Sequence, residues 1–171
     1  MKRVLYINQY PEDATSYYRI HPLVYLQSKD ISITKLFYGG NISWETFIGY
    51  DILFIERPSS NNDLNIITLA KQCGLKIVTD WDDDCLHIDQ FNPMWHHYEQ
   101  CRATLMECIV LSDEVWVSTA GIKKSFKLLN SNIHVIPNCH NDYLHPIKNK
   151  KAFNLNTKIY KPCILRQRGI L

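Results

Sequence analysis

The chain has 171 residues, of which 46% are hydrophobic and 21% are charged. This composition is typical of one globular domain with a buried core and argues against long disordered regions. The formal net charge of +2 at pH 7 creates no strong field for nucleic acid or an acidic membrane surface, so we expect neither as a partner. No run approaches the roughly 20 apolar residues that span a bilayer.

The N-terminus and the cysteines indicate a cytoplasmic protein. The apolar part of MKRVLYINQY is too short for a secretory signal peptide and predicts a first strand. The six cysteines include no CxxC pair and are irregularly spaced. We therefore expect reduced thiols in the cytoplasm.

Apolar runs alternate with helical patterns along the chain. Helices are predicted from about Thr15, over 61–73, from Asn92-Pro93 through Cys108, and over 120–130. Strands are predicted at residues 4–8, 31–38, 51–58, 75–80, 114–119 and 134–138. Such alternation predicts right-handed βαβ units. The expected fold class is α/β, a doubly wound parallel sheet of Rossmann-like type with helices on both faces.

Four aspartates follow the fourth predicted strand, in the run IVTDWDDDCLHI. The carboxyl ends of parallel strands form the ligand-facing edge of such a sheet. We therefore expect the acidic loop to lie at that edge. The other polar residues expected there are Asn8, Arg57, Ser118, Thr119 and Asn138.

The acidic loop has three interpretations. It is a solvated loop in which one aspartate caps the next turn, or it binds substrate and performs acid–base chemistry, since crowded carboxylates raise one another's pKa. The third interpretation is a site for a divalent metal shared with a substrate phosphate. We favour the metal least, because DWDDD lacks the spacing and the glycine of an EF-hand loop.

The ordered runs YDILFIERP, AKQCGLKIVTDWDDDCLHI, NP, SDEVWVSTAGIKKSF and IHVIPN resemble the N-terminal half of GT-B glycosyltransferases. The similarity is greatest to those of phage genomes and of O-antigen or cell-surface polysaccharide clusters, and it covers most of residues 1–146. It implies a single Rossmann-like domain of a GT-B type architecture, the half that usually holds the acceptor. The implied activity is transfer of a glycosyl group to an acceptor hydroxyl, with a nucleotide sugar as co-substrate.

The resemblance also places residues in the cleft between the two domains of a GT-B enzyme. Asp82 and Asp83 are the expected catalytic carboxylates, because either could accept the acceptor's proton. Arg19 or Arg57 is expected to bind a donor phosphate or an acidic acceptor. By the same resemblance, Asp80 and Asn138 are expected to bind substrate. Apart from the resemblance, Trp81 and Trp95 flank the acidic loop, and Trp81 is an expected substrate-binding residue because both are platforms on which a sugar could stack.

The C-terminal run departs from the resembled family. Residues 147–158 are rich in Lys, Asn and Thr and predict a linker, and 159–171 resemble the start of a donor-binding domain that is missing or truncated. A strand in this tail could pair with a second chain in a homo- or hetero-oligomer. No glycine-rich phosphate loop is present, so we expect no cofactor in this chain. The alternative function is a non-enzymatic binding or structural module that reuses the truncated fold.

Overall fold

The computed structural model describes residues 1–8, 15, 18, 19, 30–37 and 42–138. Within these ranges the strands are β1 (Lys2–Asn8), β2 (Ile31–Phe37), β3 (Ile52–Glu56), β4 (Lys76–Trp81), β5 (Glu114–Val117) and β6 (Ile133–Val135). The α-helices are α1 (Asn61–Gln72), α2 (Trp95–Leu111) and α3 (Ala120–Phe126), and a short 3₁₀ helix spans Trp44–Phe47.

The six strands form one sheet in the order β2-β1-β3-β4-β5-β6. Every neighbouring pair is parallel, including β3 with β4, so the predicted Rossmann-like α/β class is confirmed. The strand order reverses between β1 and β3. In open parallel sheets, ligands bind outside the carboxyl ends of the strands at such a reversal.

The central strands form because their sequences are continuously apolar, as expected for strands covered on both faces. Every residue of β3 is buried. Helix α1 follows β3 and begins with a capping box, in which the Ser60 side chain accepts from the backbone of Asp63 and the Asp63 side chain accepts from the backbone of Ser60. Gly74 ends this segment with a φ of +84°, a conformation that glycine adopts without steric cost.

The three described α-helices pack on one face of the sheet. Two continuous clusters lie between them and the strands, built from residues that include Leu5, Ile55, Ile67, Ile77, Trp81, Leu105, Val117 and Phe126. The opposite face carries the alternate residues Val4, Tyr6, Ile52, Phe54, Val78 and Trp116.

Two described residues of the connection from β1 to β2, the first crossover, lie on that opposite face. Thr15 and Arg19, which have helical backbone, contact side chains at the end of β4 there. This side follows from the right-handed rule, because the connection from β1 to β2 runs in the opposite direction to the connections from β3 onward. The rest of the predicted first helix lies outside the described residues.

Some element boundaries differ from the predicted ones. Helix α2 begins at Trp95 rather than at the Asn92-Pro93 pair, because Asn92 forms a turn in which its side chain accepts from the Met94 amide at 2.9 Å. Helix α3 ends at Phe126, and β6 ends at Val135. The predicted boundary at residue 146, the linker 147–158 and the tail 159–171 lie outside the described residues.

Candidate functional site at the carboxyl edge of the sheet

Trp81, the last residue of β4, is wholly buried on the helix-covered face. Its ring packs edge-on against Phe126, with 5.6 Å between ring centroids, and its indole N–H donates to Thr79 Oγ1 at 3.1 Å. The expectation that Trp81 stacks on a sugar is therefore wrong, since its faces contact the core. Trp95 is half-buried and lies beside His96, with ring centroids 4.8 Å apart.

Asp80 points to the opposite face, where it forms a buried bidentate ion pair with Arg19. Arg19 Nε donates to Asp80 Oδ2 at 2.5 Å, and Nη2 donates to Oδ1. The two side chains are 3% and 1% exposed. The remaining Arg19 nitrogen, Nη1, donates to the carbonyl oxygen of Ile136 at 2.7 Å and to Asn138 Oδ1 at 2.9 Å.

This geometry corrects two of the expected substrate-binding residues. Burial leaves Arg19 and Asp80 no surface to offer a ligand, and their polar atoms bind each other. Burial raises the pKa of Asp80, while the hydrogen bonds and the charge of Arg19 oppose that shift. The pair joins the first crossover, β4 and the segment after β6, so its role is structural. Asn138 is exposed, and its side-chain oxygen is the acceptor for Arg19.

Asp82 is held by three separate parts of the fold. Thr15 Oγ1 donates to Asp82 Oδ2 at 2.8 Å. Ser118 Oγ, at the end of β5, donates to the backbone carbonyl of Asp82 at 2.7 Å. Arg57 Nε, after β3, lies 3.6 Å from Asp82 Oδ1, and the Asp82 side chain is 14% exposed. A carboxylate fixed in this way is preorganised, unlike one in a solvated loop.

The second oxygen of this carboxylate, Asp82 Oδ1, is buried and accepts no hydrogen bond from the residues that the structure describes. The 3.6 Å to Arg57 Nε is too long for a hydrogen bond. A buried acceptor without a donor costs free energy, and such an atom in a native protein calls for a functional or structural explanation.

Asp83 and Asp84 have different environments. Asp83 is exposed, and its pKa is raised by partial burial and by the neighbouring charge of Asp82, with Arg57 opposing. Asp84 turns toward α3, where it accepts from Ser125 Oγ at 2.5 Å and lies 3.1 Å from His87 Nδ1. The acidic loop therefore contains two structural aspartates, Asp80 and Asp84, and two that remain available for chemistry, Asp82 and Asp83.

Arg57 has a backbone φ of +41°, in the left-handed region that side chains disfavour. Its amide donates to the backbone carbonyl of Asp80 at 2.9 Å, which ties the ends of β3 and β4 together. Its guanidinium lies between two carboxylates, 4.0 Å from Glu56 Oε1 and 3.6 Å from Asp82 Oδ1, and is partly exposed. Strain of this kind persists where the surrounding structure enforces it, and it concentrates at functional sites.

Two residues of this edge were not predicted from the sequence. Glu56 is buried and accepts from the Tyr6 hydroxyl at 3.0 Å. The sequence contained one signal for Glu56, which is the charged residue at the end of the otherwise apolar run ILFIE. Thr15 was predicted only as the start of a helix, and no sequence pattern linked it to Asp82, which is 67 residues away.

The described ranges also bear on metal binding and on the thiols. They contain no group of three or more His, Cys, Asp or Glu residues arranged to hold a metal ion.

The cysteines in these ranges, Cys73, Cys85, Cys101 and Cys108, are free thiols. Burial raises the pKa of Cys85 to about 11, so this thiol beside the acidic loop is a poor nucleophile. Among the described helices, none combines the length and apolarity needed to cross a bilayer.

No family model matches the chain, and no curated protein matches it. Among solved structures, the chain is similar to a conserved protein from Enterococcus faecalis V583, with 12% identity and a TM-score of 0.38. That match covers 80% of this chain and 92% of the other. A similarity this weak carries no argument about activity.

Proposed function

We propose that the chain is the acceptor-side domain of a glycosyltransferase that transfers a glycosyl group from a nucleotide sugar to an acceptor hydroxyl. The observation that carries the proposal is the buried oxygen Asp82 Oδ1, which lacks a hydrogen-bond donor among the described residues. It belongs to a carboxylate fixed at the carboxyl edge of a parallel sheet, where ligands bind. A sugar hydroxyl is a donor of the right chemistry for this acceptor. The ordered motifs of the sequence support the same activity.

In the proposed reaction, the acceptor hydroxyl donates to the Asp82 carboxylate, whose side chain is 14% exposed. As the acceptor oxygen bonds to the anomeric carbon of the donor sugar, the bond from that carbon to the nucleotide diphosphate breaks. The hydroxyl proton passes to the Asp82 carboxylate, which acts as a general base. Asp83, exposed beside it, is the second candidate for this step.

Arg57 is proposed to serve the same reaction through its positive charge. Its guanidinium lies on the Oδ1 side of Asp82 and is partly exposed, so it can contact an acidic group of a substrate.

A non-enzymatic binding or structural module is the second candidate function. Two of the four aspartates, Asp80 and Asp84, stabilise the fold rather than face a ligand. Beyond the acidic loop, Phe91 and Met94 are 86% and 48% exposed. Exposed apolar residues close together are suited to docking on a partner.

The two candidates are distinguished by a transfer assay on the wild type, Asp82→Asn and Asp51→Asn. Asp51 is a matched control at the opposite end of β3, where its Oδ2 accepts from the Arg3 amide at 2.8 Å. UDP-, GDP- and dTDP-sugars are supplied with methyl glycosides as acceptors, and products are detected by mass spectrometry. Loss of a general base predicts a decrease in kcat of about 10²–10⁴-fold for Asp82→Asn in the folded protein. Asp51→Asn should transfer sugar at the wild-type rate.

Two results would contradict the proposal. The first is an Asp82→Asn variant that transfers sugar as fast as the wild type. The second is a wild-type protein, tested with any domain encoded downstream, that neither transfers nor hydrolyses any of these donors. Sedimentation showing a stable oligomer in that second case would favour the structural module.

A further inference from the structure

We infer that Thr15, in the crossover after β1, is a positioning residue that fixes the orientation of the Asp82 carboxylate. The contact is a 2.8 Å hydrogen bond from Thr15 Oγ1 to Asp82 Oδ2, made by a buried threonine. Because this bond occupies Oδ2, the oxygen left without a donor is Oδ1. The catalytic consequence rests on the proposed function, whereas the orienting contact does not.

Thr15 is itself held in place by a neighbour on the same crossover. Arg19, four residues later, is fixed by its buried pair with Asp80. Asp80 and Asp82 lie two residues apart where β4 ends. Arg19–Asp80 and Thr15–Asp82 therefore form two successive rungs, the side-chain contacts that join the crossover to the end of β4.

The two rungs have different burial and chemistry, which indicates different roles. Arg19–Asp80 is a fully buried ion pair that fixes the backbone of both elements. Thr15–Asp82 is a single hydrogen bond to a carboxylate that retains some exposure. The first rung therefore places the crossover, and the second orients one side chain.

Loss of the Thr15 hydroxyl has a specific structural consequence. Asp82 Oδ2 would lose its donor, and the carboxylate could rotate toward Arg57 Nε, which is 3.6 Å from Oδ1 in the wild type. A carboxylate hydrogen-bonded to Arg57 through Oδ1 is a weaker base for an incoming hydroxyl. Rotation would also change the distance between the charges of Asp82 and Asp83.

The test compares Thr15→Val, which removes the hydroxyl and keeps the shape, with Thr15→Ser, which keeps the hydroxyl. Loss of one hydrogen bond to a charged group predicts a decrease in kcat of roughly 10-fold in Thr15→Val. KM should stay within about two-fold, because an orienting group acts on the chemical step. Thr15→Ser should restore kcat.

A second readout is independent of activity. NMR titration of the carboxyl carbons follows the pKa of Asp83, which is raised in part by the charge of Asp82. We expect the pKa of Asp83 in Thr15→Val to differ from its wild-type value, and Thr15→Ser to restore that value. Should Thr15→Val fail to fold, Thr15→Ala takes its place in both measurements.

The outcomes distinguish the positioning role of Thr15 from the proposed glycosyl-transfer function. If Thr15→Val lowers only the Tm, and neither kcat nor the titration of Asp83 responds, Thr15 is structural and the positioning role is wrong. If no variant transfers sugar but the titration of Asp83 changes in Thr15→Val and recovers in Thr15→Ser, the positioning role stands and the proposed function fails.

Discussion

At the scale of single residues, the strained backbone of Arg57 indicates that function rather than stability determines which residue stands at this position. A non-glycine residue at a φ of +41° carries a steric cost of about 1–2 kcal/mol. Evolution toward stability alone would favour glycine or asparagine at this position. The side chain that is present lies between Glu56 and Asp82, so the strain is best explained by a need for a guanidinium there.

This account predicts that Arg57→Gly is more stable than Arg57→Ala. Both variants lose the guanidinium, but only glycine relieves the left-handed strain, and its larger unfolded-state entropy offsets part of the gain. The expected difference in the free energy of unfolding is about 0.5–1 kcal/mol, measured by urea denaturation. Both variants should lose transfer activity. An Arg57→Ala variant as stable as Arg57→Gly would show that the backbone is not strained.

The neighbouring charges of Asp82 and Asp83 give a second prediction at this scale. Partial burial and then the charge of Asp82 raise the pKa of Asp83, so Asp82→Asn should lower that pKa toward its ordinary value. The carboxyl resonance of Asp83 followed by NMR against pH measures it. Because the folded-state pKa exceeds the unfolded one, Asp83 binds protons more tightly in the folded state and reduces stability as pH rises through the interval between the two pKa values. This dependence should weaken in Asp82→Asn, and an unchanged titration would contradict the coupling.

At the scale of elements, the Arg19–Asp80 pair fastens the first crossover to β4. Removing one partner of a buried ion pair leaves the other charge without compensation. Removing a partly exposed carboxylate such as Asp82 does not leave a buried charge without compensation. The same substitution should therefore destabilise the fold much more at Asp80 than at Asp82, although the two aspartates are only two residues apart.

We predict that Asp80→Asn lowers the free energy of unfolding by about 3–5 kcal/mol. Asp82→Asn should change it by less than about 1.5 kcal/mol, the scale of one hydrogen bond. Urea denaturation of both variants measures the difference. Replacing both partners, as in Arg19→Met with Asp80→Asn, should recover part of the loss because no buried charge remains. Equal stabilities for the two single variants would refute the division into structural and functional aspartates.

The strands and the edge of the sheet were predictable because they depend on local patterns. Continuous apolar runs such as ILFIE and IVT specify buried parallel strands, and their alternation with helices specifies that the acidic loop lies at the ligand-facing edge. The period-2 alternation of β4 also placed Trp81 on the same face as Ile77 and Thr79, although the sequence interpretation treated it as a loop residue.

The separate roles of the aspartates were not predictable from the run itself. Asp80 is structural because of an arginine 61 residues away in sequence, and Asp82 is oriented by a threonine 67 residues away. Such partners are selected by the tertiary fold and leave no periodic signal in the chain. The strained backbone of Arg57 is likewise invisible, because arginine carries no sequence signal for a left-handed φ.

At the scale of the whole molecule, one edge of the sheet collects polar groups from segments that are distant in sequence. The first crossover contributes Thr15, the end of β3 contributes Arg57, the loop after β4 contributes Asp82 and Asp83, and the end of β5 contributes Ser118. This edge adjoins the reversal of strand order between β1 and β3. The parallel topology therefore brings the residues of the candidate site together, and Thr15 in the first crossover orients the Asp82 side chain.

The central claim is that this edge binds a saccharide through Asp82, and amide NMR spectra recorded during titration test it most directly. Methyl glycosides and nucleotide sugars are titrated into the wild type, Asp82→Asn and Asp51→Asn. The account predicts saturable shifts at the amides of Arg57, Asp82, Asp83 and Ser118 in the wild type and in Asp51→Asn, and their loss in Asp82→Asn. Saccharides that shift none of these amides, or that shift them equally in Asp82→Asn, would contradict it.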